Sequence, residues 1–146
     1  HAAFLLQRGM KTYFVRWDAQ CRNALRVAEH LANHPRVERV RYPGLPGDRG
    51  HALALRQMPD FGTIVTIDLK GGEEVGSRFA EQLRLFSIAA SLGSTESLVV
   101  PPALEKIRGL TAEQRRWADT GPGTVRLSIG LEDVDDLIAD LESALG

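Results

Sequence analysis

From Thr124 to Gly130 apolar and polar residues alternate strictly, with Val125, Leu127 and Ile129 on one side and Arg126 and Ser128 on the other. A period of two marks a strand with one buried and one polar face. A slip of one residue would turn the whole apolar set to water, so the register is strongly constrained. The residues that follow predict a helix that buries one face. Val134, Leu137, Ile138, Leu141 and Leu145 recur at helical spacing, behind an acidic start of Glu132, Asp133, Asp135 and Asp136 that complements the helix dipole.

Upstream, the period changes repeatedly. Trp17, Cys21, Ala24, Leu25, Ala28, Leu31 and Ala32 predict a long amphipathic helix from about Lys11 to Asn33, which Pro35 terminates. Val37 to Tyr42 reads as a short strand closed by Pro43-Gly44, and His51 to Gln57 as a short helix. In Gly62 to Leu69, Val65, Ile67 and Leu69 alternate with Thr66 and Asp68, as in a half-buried strand. After Gly71-Gly72, a helix is marked by Val75, Phe79, Leu83 and Phe86. Phe86 to Leu92 and Ser97 to Val100 are short apolar segments split by Gly93-Ser94-Thr95-Glu96. Thr111 and Gln114 match a capping box, which starts a short helix carrying Trp117. Several connections are too short for parallel crossovers. The expectation is one α+β domain over residues 1–146, with a mostly antiparallel sheet of four to five strands covered by helices on at least one face.

Composition narrows the function classes. A chain of 146 residues with 43% hydrophobic and 25% charged residues can bury a core without metal or disulfide staples. Lys and Arg total 18 against 19 Asp and Glu, a net charge of −1 that argues against a broad nucleic-acid footprint. The single cysteine forms no internal disulfide and fits a reducing, cytoplasmic setting. Ala2 to Leu6 is too short to span a membrane and lacks the flank of a signal peptide. A chain that begins with His1 is expected to be a piece of something longer.

Few residues invite chemistry. Cys21 lies on an apolar helix stripe and reads as a buried structural thiol. His30 and His34, four apart, have the spacing of a metal pair but lack further ligands, and a place near a helix C-terminus accounts for them better, so no metal is expected. The acidic cluster from Glu132 to Asp136 is explained by its helix start more economically than by a cation. No Gly-rich nucleotide-binding pattern is present. Arg126 differs, because it leaves the apolar face of a rigid strand with Ser128 beside it. A permanently charged planar fork there suits bidentate capture of a carboxylate, although a solvent-exposed arginine has the same pattern. Ser91-Leu92-Gly93-Ser94 offers hydroxyls and backbone N–H groups, or is simply a turn.

Two segments change that balance. Ser91-Leu92-Gly93-Ser94-Thr95-Glu96-Ser97-Leu98 resembles the Ser-Leu-Gly-Gly-x-Glu-Ser-Leu stretch of the Cys/Met-metabolism family of pyridoxal-phosphate enzymes, the cystathionine γ-synthase, cystathionine γ-lyase and methionine γ-lyase relatives. Val125 to Asp133, running into Asp136-Leu137-Ile138 and Asp140-Leu141, is similar to the C-terminal signature of that family. Arg8 to Thr12, Arg22-Asn23-Ala24, Val37 to Val40, Tyr42 to Leu45 and His51 to Ala54 extend the resemblance over essentially the whole chain.

The resemblance implies the small C-terminal domain of a fold-type-I enzyme, with a large N-terminal domain as its missing partner. It implies that Arg126 binds the α-carboxylate of a sulfur amino acid and that Ser91 sits beside it. Pyridoxal phosphate would belong to the full-length protein, which would carry out β- or γ-elimination or replacement as a homo-oligomer. The Schiff-base lysine motif has no match, and Lys11 lies in a different family stretch, so no catalytic or cofactor-binding residue is assigned here and the fragment alone is expected to be inactive. Ala90 replaces a glutamate common before Ser-Leu-Gly in the γ-synthases and γ-lyases, which leans towards methionine γ-lyase-like or other C–S lyases. Ser94 replaces the second glycine, and residues 103–109 depart from the Thr-His stretch of the family. The alternative is a non-catalytic binding or assembly module within a larger biosynthetic protein.

Overall fold

The computed structural model describes residues 1–102 and 111–146. The departure at residues 103–109 lies outside the described residues. The alternating segment forms β5 (Thr124–Ser128) at the centre of a five-stranded sheet, with β1 (Val37–Arg41), β2 (Ile64–Leu69), β3 (Ser87–Ile88) and β4 (Leu98–Val100) in the order β1-β2-β5-β4-β3. β5 is antiparallel to both neighbours, so its backbone is hydrogen-bonded on each side. Helices α1 (Ala2–Met10), α2 (Tyr13–Ala32), α3 (His51–Gln57), α4 (Gly72–Gln82), α5 (Ala112–Ala118) and α6 (Val134–Leu145) complete the described elements. Among the described residues no helix is long and apolar enough to cross a membrane.

The core lies between one sheet face and three helices. Val65, Ile67, Leu69, Val99, Val125, Leu127 and Ile129 meet Ala24, Val27, Ala28 and Leu31 of α2, Phe79 and Ala80 of α4, and Leu137, Leu141 and Leu145 of α6. Burying each large aliphatic side chain contributes about 1.5–3 kcal/mol relative to leaving it in water. The opposite face therefore receives Ile64, Thr66 and Asp68 from β2 and Thr124, Arg126 and Ser128 from β5.

Three expectations need correction. The predicted long helix is Tyr13–Ala32 and is preceded by a separate one, α1, which has no buried residue. On α2, Gln20 and Val27 join the buried stripe and Ala32 is exposed, so the stripe runs one step earlier than the apolar residues suggest. The α4 helix stops at Gln82, and Leu83 and Phe86 reach the core from non-helical backbone beyond it. The sheet is mostly antiparallel, as expected, and only β3 pairs parallel, with β4. That pair has no helical crossover. The chain from Ala89 to Ser97 runs back along the strands over the polar face, and this return brings a loop to Arg126.

Candidate functional site

Arg126 occupies the middle of the central strand, opposite Thr66 of β2 and Val100 of β4. A side chain rooted there has a rigid base, which a precise binding group needs. The half-buried guanidinium donates from Nη2 to the carbonyl oxygen of Ser91 at 3.2 Å. Two residues on, the backbone N–H of Gly93 donates to Oγ of Ser128, also at 3.2 Å. Gly93 has φ +77°, a left-handed conformation that suits glycine. Arg126 and Ser91 thus meet through the Ser91 main chain, and Ser91 is itself exposed.

An open groove of about 730 Å³ adjoins this loop and includes Trp17, Arg41, Phe61, Thr66, Leu92 and Gly93 in its walls. At one side of it the polar face carries a compact ion cluster. Asp68 receives Nε of Arg39 at 3.0 Å, Nη2 of Arg41 at 2.7 Å and the Thr124 hydroxyl at 2.5 Å. Asp68 lies diagonally across from Arg126 on the same face, and these partners engage both of its oxygens. Asp119, at φ +54°, receives the Arg39 fork at 2.9 and 3.2 Å, and its carbonyl accepts from Arg41 at 2.5 Å. The hydrogen bond from Arg39 holds the Asp119 carboxyl below its usual range, and Asp119 in turn raises the Arg39 guanidinium.

A second polar junction anchors the far end of the loop. Glu132 accepts from the Ser97 N–H at 2.6 Å and from the Ser97 hydroxyl at 2.9 Å. The same hydroxyl oxygen accepts from the N–H of Gly130 at 2.8 Å, and Leu131 N–H donates to Thr95 O at 2.8 Å. From α2, Gln20 donates to the carbonyls of Ser94 and Ile129, and Asn23 to those of Gly130 and Glu132. Glu132 therefore serves the loop and not the helix dipole alone. Asp133 is the N-cap of α6, accepting from Asp135 N–H at 2.9 Å. Periodicity and composition assign no role of their own to Gln20, Asn23 or Ser97.

The remaining candidates have structural surroundings. Cys21 is buried, and desolvation pushes its thiol up to about 11. His30 and His34 both face Oε1 of Glu142, at 2.5 and 3.7 Å, tying the end of α2 to α6. Of the described lysines, Lys11 is exposed beyond α1, and Lys70 gives its ammonium to the Pro35 carbonyl at 2.6 Å. Neither is presented to Arg126. What the site offers is a charged, planar donor on a rigid strand, bordered by a tethered loop. That arrangement can hold and orient an anionic group such as a carboxylate.

The chain is similar to known proteins over its whole length. The sequence profile described as Cys/Met metabolism PLP-dependent enzyme matches residues 1–146. An L-methionine gamma-lyase of Fusobacterium nucleatum subsp. polymorphum is 48% identical over 143 residues, which is 98% of this chain and 36% of that protein. A solved cystathionine gamma-lyase from Micromonospora echinospora superposes with a TM-score of 0.87 at 41% identity, over 97% of this chain and 37% of the other. A candidate O-acetylhomoserine (thiol)-lyase from Campylobacter jejuni superposes with a TM-score of 0.90 at 36% identity, over 98% of this chain and 34% of the other, and contains N'-pyridoxyl-lysine-5'-monophosphate. The chain thus spans about a third of the length of the relatives it matches.

Proposed function

Because this chain belongs to the Cys/Met-metabolism family of PLP-dependent enzymes, we propose that it is the substrate-carboxylate-binding, C-terminal domain of a C–S lyase or trans-sulfuration enzyme acting on sulfur amino acids. The observation that carries the reading is Arg126, fixed at the centre of β5 and reaching the Ser91 carbonyl of the crossing loop. Arg126 binds the substrate α-carboxylate, and the Ser91 loop borders the bound group. Pyridoxal phosphate, held by a large N-terminal domain outside this chain, serves as electron sink for elimination or replacement. The share of this domain is to orient the amino acid against that group and to keep the reacting bonds aligned. The assembled enzyme is a cytoplasmic homo-oligomer.

The test is Arg126→Ala in the full-length holoenzyme. Loss of a partly desolvated carboxylate clamp is expected to lower kcat/KM by more than ~10-fold, equivalent to ~1.4 kcal/mol. Arg126→Lys, which keeps the charge but loses the fork, should recover only part of that loss. Unchanged kinetics in a folded Arg126→Ala enzyme would remove Arg126 from the site.

A further inference from the structure

The loop from Ser91 to Ser97 is held unevenly. At its start, the contacts to Arg126 and Ser128 are both 3.2 Å, at the long end of the N–H···O range. At its end, the Glu132 carboxylate takes two bonds from Ser97 at 2.6 and 2.9 Å, and charge-assisted bonds of this length are about twice as strong as neutral ones. Ser97 is fully buried, and its hydroxyl links the carboxylate to the N–H of Gly130 at the exit of β5. The junction has no slack. A Cβ at Gly130 would stand 2.5 Å from Thr95 O and 2.6 Å from Ser97 N. Between the two ends, Gln20 holds the Ser94 carbonyl at 2.7 Å and Leu131 N–H holds that of Thr95 at 2.8 Å, so the firm anchoring of the loop lies in its second half, towards Ser97.

We propose that Glu132 is a positioning residue for substrate carboxylate binding: through Ser97 it pins the crossing loop to the exit of β5 and so sets the arrangement of Ser91 over Arg126. The inference rests on the carboxylate-binding reading of Arg126. Removing the Glu132 carboxylate frees the loop end, and the carboxylate-facing geometry loosens while the rest of the amino-acid site is left in place. Glu132→Gln keeps one acceptor for Ser97 N–H and should behave as an intermediate.

The test compares two ligands on the holoenzyme by calorimetry: L-norleucine, the methylene isostere of methionine, and 1-pentylamine, the same molecule without its carboxylate. Glu132→Ala is expected to raise the Kd of norleucine about 10-fold and to leave that of pentylamine unchanged. Glu132→Gln should give a smaller rise, and hydrogen exchange in the 91–97 segment should increase in the same order. Equal weakening of both ligands, or no change for norleucine while Arg126→Ala weakens it, would overturn the role of Glu132 and leave Arg126 standing. If Arg126→Ala itself leaves norleucine binding unchanged, the underlying reading fails and the inference falls with it. Should Glu132→Ala not fold, Ser97→Ala removes the hydroxyl link and keeps the main-chain bond. It should show the same carboxylate-selective loss at smaller amplitude, and a norleucine Kd equal to wild type there would overturn the proposal.

Discussion

Cys21 illustrates how burial decides what one side chain can do. It sits among the buried residues of α2, 7% exposed, and desolvation there raises its thiol to about 11. The nucleophile in thiol chemistry is the thiolate, so at neutral pH this cysteine is both covered and protonated. Native protein at pH 8 is expected to resist a disulfide-exchange reagent over minutes and to react stoichiometrically once unfolded in urea. Rapid labelling of the native state would contradict this placement. Arg126 is the contrary case, a permanent charge carried on a rigid strand where the chain leaves it half-buried beside a loop.

At the scale of elements, the Asp119 cluster ties the β1 edge strand to the turn after α5. Arg39 donates its fork to the carboxylate, and Arg49 approaches the same group at 3.5 Å. The folded-state pKa of Asp119 is depressed, first by the Arg39 hydrogen bond. Its contribution to stability is therefore fully present above the unfolded value of ~3.9 and is lost as the pH falls through the folded value. Asp119→Asn isolates the charge, since asparagine also tolerates the left-handed backbone at φ +54°. The variant should be less stable than wild type at pH 7 in urea unfolding, with a gap that closes in acid and narrows in high salt. A gap independent of pH would show that the carboxylate charge contributes nothing.

At the scale of the whole molecule, α1 and the first turn of α2 are poorly covered. α1 buries nothing, and Phe4, Leu6, Met10, Phe14 and Val15 are each 60% exposed or more. Ile88 and Leu92 add exposed apolar surface on the crossing loop and its strand. Contiguous apolar patches larger than a few hundred Å² tend to find partners. The chain by itself is expected to self-associate, with a symmetric dimer the commonest closed form. Sedimentation should give a mass that rises with concentration up to ~100 µM, where complexes of modest affinity begin to form. A mass that stays at the monomer value throughout would refute this.

The element types were legible because each obeys a local period. The alternation of Val125, Leu127 and Ile129 specified β5 and sent Arg126 to the other face, and the spacing of Leu137, Leu141 and Leu145 specified α6. The capping box at Thr111 and Gln114 is also local, and its reciprocal hydrogen bonds form at 2.8 and 3.2 Å. What the sequence could not display is pairing between groups far apart in the chain. Glu132 and Ser97 are 35 residues apart, and Asn23 lies 107 and 109 residues from the carbonyls it serves. The buried Asp140 likewise accepts from the N–H groups of Arg84 and Leu85, more than fifty residues away. The parallel pairing of β3 was hidden for the same reason, since a two-residue strand carries no directional signal of its own. On β5 periodicity by itself determined which residues face the core and which side chain stands on the polar face. Only tertiary packing decided that a loop crosses that face and which carboxylate holds it there, because hydrogen bonds select their partners by distance in space.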